Sequence, residues 1–431
     1  MSKLVVYGGV SLSGEISVSG NKNAVLPMIC ASLLSCETVA LSNMPAITDG
    51  LKIGQFFRDM GAEVLENAAD STIRITHGPY RVENTAKIPT GIRSAVLLIA
   101  PLLHLTGRFA FDQDAKGCAL GVREIDPHLS ILAEFGCTVT YNGTSCLIEK
   151  PKTCIPANIW MDYQSVTATE TFLMMAALTK GKSTLTNAAS EPHVKYFCKF
   201  LIKMGAKVTG LGTSILEVEG VDALSGVDFR VPDDHHEAAT YAAIGAATGG
   251  TLLVKTHIVD EMTLIVRQFQ KVGLNMHIVE GGIQTGPSTF EIEESFTPEI
   301  LAKVEAAPWP YFPADILPQI IGASIQAKGE LLFWNKVYEG ALFWSSELLK
   351  FGARAHLSDP HRLVLTRNKQ LRPATVEAPY IIRVVLGLVI AALQIEGRSE
   401  ILNAAPIRRA HPDFIEKLKS IGANIEWVNE D

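Results

Sequence analysis

The sequence predicts an α/β (α+β) fold of six helix-and-strand repeats, in which sheets wrap around buried helices to give barrels with the helices inside. Three observations support this prediction. A helix that ends in glycine and leads into a short apolar strand occurs six times along the 431 residues. A second pattern, of buried helix, turn and strand, lies between these copies. Some of the helices are apolar on every face, so they must be buried on every side.

The first repeated pattern is an amphipathic helix that ends in an apolar residue and glycine, as in FFRDMGAEV at 56–64. Glycine suits this position because a helix that feeds a strand commonly needs one residue in the left-handed backbone region. The six glycines are about 70 residues apart, roughly one sixth of the chain. They are Gly61, Gly136, Gly205, Gly273, Gly352 and Gly422.

The second repeated pattern is a helix rich in Ala and Leu, a turn and a strand. Clear copies read MMAALTKGKSTLTN, AAIGAATGGTLLVKT, IGASIQAKGELLFWN and IAALQIEGRSEILN, and looser ones read ICASLLSCETVALSN and IAPLLHLTGRFAFDQ. In VVLGLVIAALQI, residues 384–395, apolar side chains cover the whole helix surface. Each unit is therefore a βαβαββ-type repeat whose sheet surrounds its helices.

Composition and charge limit the classes of function. Apolar residues make up 47% of the chain and charged residues 19%, as in a folded globular protein. The net charge of −7 argues against a nucleic-acid or anionic membrane surface. The longest apolar run has about 12 residues, against roughly 20 for a membrane span. With no signal-peptide pattern in MSKLVVYGGV and seven cysteines without a CxxC pair, we expect a cytoplasmic protein with free thiols.

The segment FDQDAKGCALGVREIDPH, residues 111–128, contains one cysteine in an unusual setting. Two glycines flank Cys118, and Lys116 and Arg123 lie close by in the sequence. Positive neighbours stabilise a thiolate, so the pattern favours a reactive thiol, with a small core residue as the alternative. The other six cysteines lie in apolar contexts such as PMICASLL, which favour inert core residues.

Four motifs, in order and at matching distances, resemble the enolpyruvyl transferase family over the full length. They are SGNKNAVLP, KGCALGVREIDPH, YFPAD and RRAHPDFIEKLKSIGANI. The resemblance is nearest to the branch that acts on UDP-N-acetylglucosamine. It implies two inside-out α/β barrel domains of three repeats each, one formed by residues 1–21 plus 233–431 and the other by residues 22–232, with the active site in the cleft between them.

The resemblance implies transfer of enolpyruvate from phosphoenolpyruvate to the 3-hydroxyl of UDP-N-acetylglucosamine, with release of phosphate. This is the first committed step of peptidoglycan precursor synthesis. The hydroxyl adds to C2, C3 is protonated, and phosphate then leaves a tetrahedral intermediate. Such chemistry needs a phosphate clamp, an acid for carbon and a base for the hydroxyl. No metal or organic cofactor is implied, the partners are these small-molecule substrates, and we expect a monomer or weak homo-oligomer.

The resemblance also assigns roles to residues. Cys118 would be the acid for C3 and could form an adduct with phosphoenolpyruvate, and Asp315 would take the proton of the acceptor hydroxyl. Lys22 would bind the phosphate of phosphoenolpyruvate and Asn23 the intermediate. The alternatives are a solvated surface lysine at Lys22 and a plain helix N-cap at Asp315.

Further substrate-binding positions follow from the same motifs. The arginines would bind phosphate or nucleotide, with structural salt bridges as their alternative, and the YQSV segment would read a nucleotide, with a generic polar turn as its alternative. Of the adjacent Arg408 and Arg409, the second is better aligned. The positions are Arg93, Arg123, Glu124, Ile125, Asp126, Pro127, Tyr163, Gln164, Ser165, Val166, Val337, Arg383 and Arg409.

The chain departs from the family pattern on the acceptor side. Where the family usually has PDRIE, ENRF, DLR and SVGAT, this chain has PDDHHE, EGALF, IIR and SVTAT. The residues of this chain that stand at the altered positions are His235, Gly340, Ala341, Ile381 and Thr167. Two other functions therefore stay open: enolpyruvyl transfer to another nucleotide or nucleotide-sugar in a specialised pathway, and a catalytically silent nucleotide-sugar-binding paralogue. A metal site in DDHHEAATY is disfavoured, because adjacent side chains diverge on a helix.

Overall fold

The structure is a computed structural model that describes residues 2–78, 93–112, 125–142, 145–297, 299–367 and 370–429. The strands in chain order are β1 Ser2–Gly8, β2 Gly14–Ser17, β3 Val39–Ser42, β4 Glu63–Asn67, β5 Thr72–Thr76, β6 Arg108–Asp112, β7 Thr138–Asn142, β8 Ser145–Glu149, β9 Asn158–Trp160, β10 Lys182–Thr186, β11 Lys207–Thr209, β12 Ile215–Glu219, β13 Val227–Arg230, β14 Leu252–Lys255, β15 Met276–Val279, β16 Gly282–Thr285, β17 Ala302–Ala306, β18 Glu330–Asn335, β19 Arg354–Asp359, β20 Arg362–Thr366, β21 Thr375–Glu377, β22 Gly397–Leu402 and β23 Asn424–Asn429.

The helices share the repeat pattern predicted from the sequence. They are α1 Lys22–Ala31, α2 Thr48–Met60, α3 Ile99–Thr106, α4 Asp126–Glu134, α5 Val166–Ala177, α6 Pro192–Lys203, α7 His235–Ala247, α8 Thr263–Lys271, α9 Leu317–Ala323, α10 Ser346–Lys350, α11 Ile382–Leu393, α12 Pro406–Ala410 and α13 Phe414–Ser420. Short 3₁₀ helices occupy Ser32–Leu34, Arg93–Leu98, Asp260–Met262, Ala314–Ile316, Ser324–Gln326 and Phe343–Ser345.

Six small sheets form within the described residues, one for each repeat. Five have four strands, in the orders β21-β22-β1-β23, β11-β12-β10-β9, β13-β3-β5-β4, β15-β16-β14-β2 and β17-β18-β20-β19, and the sixth is β6-β8-β7. Each four-stranded sheet combines one parallel pair with antiparallel pairs, as in β9 with β10 and β10 with β12. This mixed arrangement of helix and strand confirms the predicted α/β fold class.

The repeated glycines adopt the backbone conformation that the sequence predicts. All six have positive φ values, from 83° at Gly273 to 106° at Gly205. A side chain with Cβ is penalised in this left-handed region, which explains why glycine ends each of these helices.

The helices α7 and α11 are buried as their apolar surfaces require. All residues of α7 are buried, and so are Val384 to Leu393 of α11. α11 packs closely against α9, because glycines meet where the two helices approach: a Cβ added at Gly322 would lie 2.1 Å from the carbonyl oxygen of Gly387. The prediction of helices covered on every side is therefore confirmed for these elements.

Contacts divide the described residues into two compact units. One contains residues 2–19 and 233–429, the other residues 20–78, 93–112, 125–142 and 145–232, and each has its own hydrophobic core. In the first unit, β1 pairs with both β22 and β23, which places the beginning and the end of the chain in one sheet. The division into domains at residues 21 and 232 stays a prediction, since compact units need not fold independently.

Two expectations about composition meet different outcomes. Within the described part of the chain, none of the helices is both long and apolar enough to cross a bilayer.

Of the cysteines expected in the core, Cys30, Cys137, Cys146 and Cys198 are buried, but Cys36 is exposed and Cys154 half-buried. The core assignment of Cys36 was wrong because it follows a 3₁₀ turn, where the apolar helix before it has already ended.

Candidate functional site

Lys22 and Asn23 lie in the first turn of α1. Asn21 is the N-cap, and its side-chain oxygen accepts hydrogen bonds from the backbone N–H groups of Asn23 (2.8 Å) and Ala24 (3.1 Å). Lys22 Nζ lies 3.0 Å from the Oδ2 of Asp49, a buried residue in the first turn of α2. This ion pair fixes the ammonium group, so Lys22 is not the freely solvated lysine of the alternative hypothesis.

Two segments predicted to bind the acceptor meet at the N-termini of α4 and α5. Asp126 and Pro127 begin α4, where proline is favoured because the first N–H groups of a helix have no partner within the helix. Ser165 caps α5 and accepts a hydrogen bond from Ala168 N. α4 packs against α5, so these two helix starts are neighbours in the fold.

His128 and Thr167 connect these two helices. The ring nitrogens of His128 lie 2.8 Å from Thr171 Oγ1 and 3.0 Å from Thr167 Oγ1. Thr167 is one of the positions at which the chain departs from the family pattern. Sequence reasoning missed His128, because the spacing of 39 residues between it and Thr167 gives no local signal.

Asp315 lies on the one-turn 3₁₀ helix Ala314–Ile316, between a proline-rich loop and α9. Its side chain is 33% exposed, and neither this turn nor α9 has a side-chain N-cap hydrogen bond. The plain N-cap hypothesis is therefore wrong, because the proline before the turn occupies the cap position. A partly exposed carboxylate in this setting is available to accept a proton from a bound hydroxyl group.

Arg383 lies beside Asp315 and carries an unused donor. Its Nε is 3.6 Å from Asp315 Oδ2, and its Nη1 is buried with no hydrogen-bond partner among the described residues. A buried guanidinium donor without a partner is costly, and a carboxylate or phosphate oxygen would satisfy it. The pair thus offers a base and an anion-binding group side by side, although the two residues are far apart in the sequence.

Asn335 and Tyr338 are site residues that sequence reasoning missed. The buried Asn335 side chain accepts hydrogen bonds from the backbone N–H groups of Val337 (2.9 Å) and Tyr338 (3.0 Å). The Tyr338 hydroxyl group approaches Asp315 Oδ1 at 3.5 Å. An Asx turn at the end of β18 therefore presents the predicted residue Val337 and holds Tyr338 beside the carboxylate. Asn followed two residues later by an apolar residue is the signal that could have indicated this turn.

These groups surround an open pocket in the first unit. Its empty space, including solvent at its mouth, is about 350 Å³, at the lower end of the range for small-molecule sites. The lining residues are Ala314, Asp315, Leu317, Pro318, Asn335, Tyr338, Ala341, Leu342, Ile381, Arg383 and Val384. Ala341 and Ile381, which stand where the family pattern has an arginine and an acidic residue, line this pocket together. The charges in its lining are thus those of Asp315 and Arg383.

Asp234, His235 and His236 form a buried cluster in the same unit. Their potential metal-ligand atoms lie within 4.8 Å of one another, so the expectation that these side chains diverge was wrong. The reason is that Asp234 is the N-cap of α7: it accepts hydrogen bonds from His236 N (2.8 Å), Glu237 N (3.4 Å) and His236 Nδ1 (3.1 Å). Burial opposes ionisation of Asp234, but the hydrogen bond from His236 and the charge of Arg383 outweigh it and hold its pKa well below the usual value. Helix capping accounts for this geometry, and the nearby arginine makes the cluster unfavourable for a cation.

The structure describes the side chains of some of the remaining predicted residues and not those of others. Tyr163 is about half exposed, while Gln164 and Val166 are half-buried at the start of α5. Arg93 begins a 3₁₀ turn and Arg409 lies in α12, but the side chains of both lie outside the described part. Arg408 places its guanidinium 4.1 Å from the ring centre of Trp427, a structural cation–π contact. Cys118, Arg123 and Glu124 lie outside the described residues.

Comparison with known proteins gives a consistent result. The EPSP synthase (3-phosphoshikimate 1-carboxyvinyltransferase) family matches residues 6–418. UDP-N-acetylglucosamine 1-carboxyvinyltransferases of Borreliella burgdorferi and Treponema denticola are 33% and 34% identical, each over 99% of both chains. The fold is similar to the enolpyruvyl transferase NikO of Streptomyces tendae (TM-score 0.84, 21% identity, 100% and 99% of the two chains) and to EPSP synthase of Acinetobacter baumannii (TM-score 0.73, 17% identity, 100% of both chains).

Proposed function

Because this chain belongs to the EPSP synthase family of enolpyruvyl transferases, we propose that it transfers enolpyruvate from phosphoenolpyruvate to the 3-hydroxyl of UDP-N-acetylglucosamine. The observation that carries the choice of acceptor is the identity of 33–34% with two full-length UDP-N-acetylglucosamine 1-carboxyvinyltransferases. Such a reaction would serve the cytoplasmic first step of peptidoglycan precursor synthesis.

In this proposal the pocket residues of the first unit act on the acceptor and on phosphoenolpyruvate. The acceptor oxygen attacks C2 of phosphoenolpyruvate while Asp315 takes the hydroxyl proton. Arg383, which already faces Asp315, donates its free Nη1 to an oxygen of the anionic substrate. The guanidinium group of Arg383 lies beside the carboxylate that takes this proton, with its Nε 3.6 Å from Asp315 Oδ2.

The resemblance to the family supplies the remaining roles in this proposal. Cys118 donates a proton to C3, which gives a tetrahedral intermediate at C2. Lys22, held in place by Asp49, binds the phosphate group. Phosphate then leaves with its bridging oxygen while the Cys118 thiolate takes a proton back from C3, so that the double bond of the enol ether forms.

A second acceptor class is supported by a specific observation. Thr167, Ala341 and Ile381 depart from the family pattern, and the last two line the pocket beside Asp315. Loss of two charged side chains at one place changes what that wall of the pocket can bind. Another nucleotide or nucleotide-sugar hydroxyl is therefore the alternative acceptor.

The experiment is a phosphate-release assay with phosphoenolpyruvate and a panel of acceptors. The panel contains UDP-N-acetylglucosamine, UDP-glucose, uridine monophosphate and shikimate 3-phosphate. Release that is fastest with UDP-N-acetylglucosamine supports the proposal. Release with a nucleotide alone supports the second acceptor class, and no release with any acceptor would favour a silent nucleotide-sugar-binding paralogue.

A further inference from the structure

His128 is a buried residue that neither the motifs nor the reaction assigns to a role. It lies in the first turn of α4 and is 3% exposed. Both ring nitrogens face threonine hydroxyl groups of α5, at 2.8 Å for Nδ1 with Thr171 and 3.0 Å for Nε2 with Thr167. A buried imidazole bridging two hydroxyls of another helix holds the two helices in one register.

The threonines of α5 differ in how they use their hydroxyl groups. A threonine within a helix commonly bonds back to the carbonyl one turn earlier, as Thr169 does with Ser165 O at 2.8 Å. Thr167 and Thr171 instead lie one turn apart on the face that meets His128. Their hydroxyl groups are thus used between helices, and Thr167 is the nearer of the two to the start of α5.

The position of this contact connects two segments expected to bind the acceptor. His128 directly follows Asp126 and Pro127, and Thr167 directly follows Ser165 and Val166. Ser165 is itself fixed by its cap bond to Ala168 N. The contact between His128 and Thr167 therefore sets how far apart the two acceptor-binding helix starts lie.

We propose that His128 and Thr167 are positioning residues for the uridine diphosphate sugar, acting through the relative placement of the α4 and α5 N-termini. This inference rests on the proposed function. It assigns a role to Thr167 that a glycine at this position could not have, because glycine has no hydroxyl group. Phosphoenolpyruvate, which Lys22 and Arg383 would bind, should be unaffected.

The test uses three variants of the full-length chain, with binding of UDP-N-acetylglucosamine measured by calorimetry and KM measured for both substrates. Thr167→Val keeps the shape but removes the hydroxyl group, so its Kd and KM for UDP-N-acetylglucosamine should rise about five- to tenfold, the effect of one lost hydrogen bond. Its KM for phosphoenolpyruvate should stay within about twofold of wild type. Thr167→Ser, which retains the hydroxyl group, should restore binding.

Thr179→Val is the matched control. Thr179 is buried just after the end of the same helix, and its hydroxyl group donates to Met175 O at 2.8 Å. This variant should bind UDP-N-acetylglucosamine as wild type does. Thermal unfolding of each variant shows whether a change in affinity comes from loss of the fold.

Several results would overturn the inference: wild-type affinity in Thr167→Val, an equal rise of KM for both substrates, failure of Thr167→Ser to restore binding, or no binding of UDP-N-acetylglucosamine by the wild-type protein. Binding without phosphate release has a different meaning. In that case the proposed transfer fails, while the comparison of affinities among the variants still decides the role of Thr167.

Discussion

Asp315 combines partial exposure with a positive neighbour, and its role can be tested by an isosteric change. In Asp315→Asn the amide cannot accept a proton from the acceptor hydroxyl group. We expect kcat to fall about 10²- to 10⁴-fold, the usual contribution of a general base, while KM for phosphoenolpyruvate changes little. Steady-state phosphate release measures both values. Asp222→Asn, at an exposed surface ion pair, should keep wild-type activity, and full turnover by Asp315→Asn would contradict the assignment.

Arg383 offers a second test at the residue scale. In Arg383→Lys a charge remains, but the fork of donors that includes the free Nη1 is lost. We expect KM for phosphoenolpyruvate to rise at least about tenfold, since a charge-assisted hydrogen bond contributes roughly 1.5–3 kcal/mol. Arg267→Lys, at an exposed pair with Glu293, is the control. An unchanged KM for phosphoenolpyruvate in Arg383→Lys would show that the free donor does not bind this substrate.

Single residues of the candidate site were predictable to different degrees. Asp315, Lys22 and Arg383 stand in local motifs, so the sequence indicates them. Asn335 forms the turn that holds Tyr338 beside Asp315, and Asp315 lies 23 residues before Tyr338 in the sequence. This contact between side chains depends on how α9 and β18 pack, and no local pattern in the sequence indicates that packing.

At the scale of elements, the close approach of α9 and α11 depends on glycine. A Cβ at Gly387 would lie 2.4 Å from the carbonyl oxygen of Pro318, too close for the helices to keep their spacing. We expect Gly387→Ala to lower the free energy of unfolding by roughly 1–3 kcal/mol or more, as overpacking does. Urea denaturation followed by circular dichroism measures this change.

Gly50 in α2 provides the control for this prediction. A Cβ at Gly50 would meet Ile47 at 3.6 Å, an ordinary van der Waals contact. Gly50→Ala should therefore leave the protein as stable or slightly more stable, because alanine favours a helix by about 0.5–1 kcal/mol over glycine. Equal destabilisation by both alanines would show that the approach of α9 and α11 is not the cause.

The sequence predicted the elements better than it predicted their ends. Repeated helix and strand patterns, with glycine at each helix end, were confirmed because those signals are local. The cluster at the start of α7 was misjudged because Asp234 stands outside the helix as its cap, which brings its carboxylate back over His236. Helical geometry describes only residues inside the helix, so the argument from diverging side chains did not apply to this position.

At the scale of the whole molecule, buried histidines make stability depend on pH. His77 is almost fully buried, packs against Phe57 and hydrogen-bonds Ser32, and burial lowers its pKa from 6.5 to about 4. Burial similarly lowers the pKa of His411 to about 3, with the charge of Arg383 adding to the effect. Between pH 6.5 and 4 the unfolded chain binds protons that the folded chain does not, so stability falls as the pH falls.

A His77→Gln variant isolates one of these contributions. Glutamine does not titrate, so the variant should lose less stability than wild type between pH 7 and pH 4, by on the order of 2–3 kcal/mol. Urea denaturation at a series of pH values measures the slope. The exposed His257→Gln should retain the wild-type slope, and an identical slope in His77→Gln would contradict a pKa lowered by burial.

The overall architecture was predictable because the same pattern of helices and strands occurs six times in the sequence. Helices that are apolar on every face, such as α11, require a cover of sheet, and no further information is needed for that conclusion. The acceptor is harder to predict. It depends on a few side chains such as Thr167, Ala341 and Ile381, whose effect comes from the space around a bound molecule.

The central claim, transfer of an intact enolpyruvyl group, is tested most directly by phosphoenolpyruvate labelled with ¹⁸O in the oxygen between C2 and phosphorus. The proposed mechanism breaks the C2–O bond, so after reaction with UDP-N-acetylglucosamine, mass spectrometry should find the label in the released phosphate and an unlabelled enolpyruvyl ether of the sugar nucleotide. Label that stays with the carbon product, as pyruvate, would show cleavage between phosphorus and oxygen and would contradict enolpyruvyl transfer.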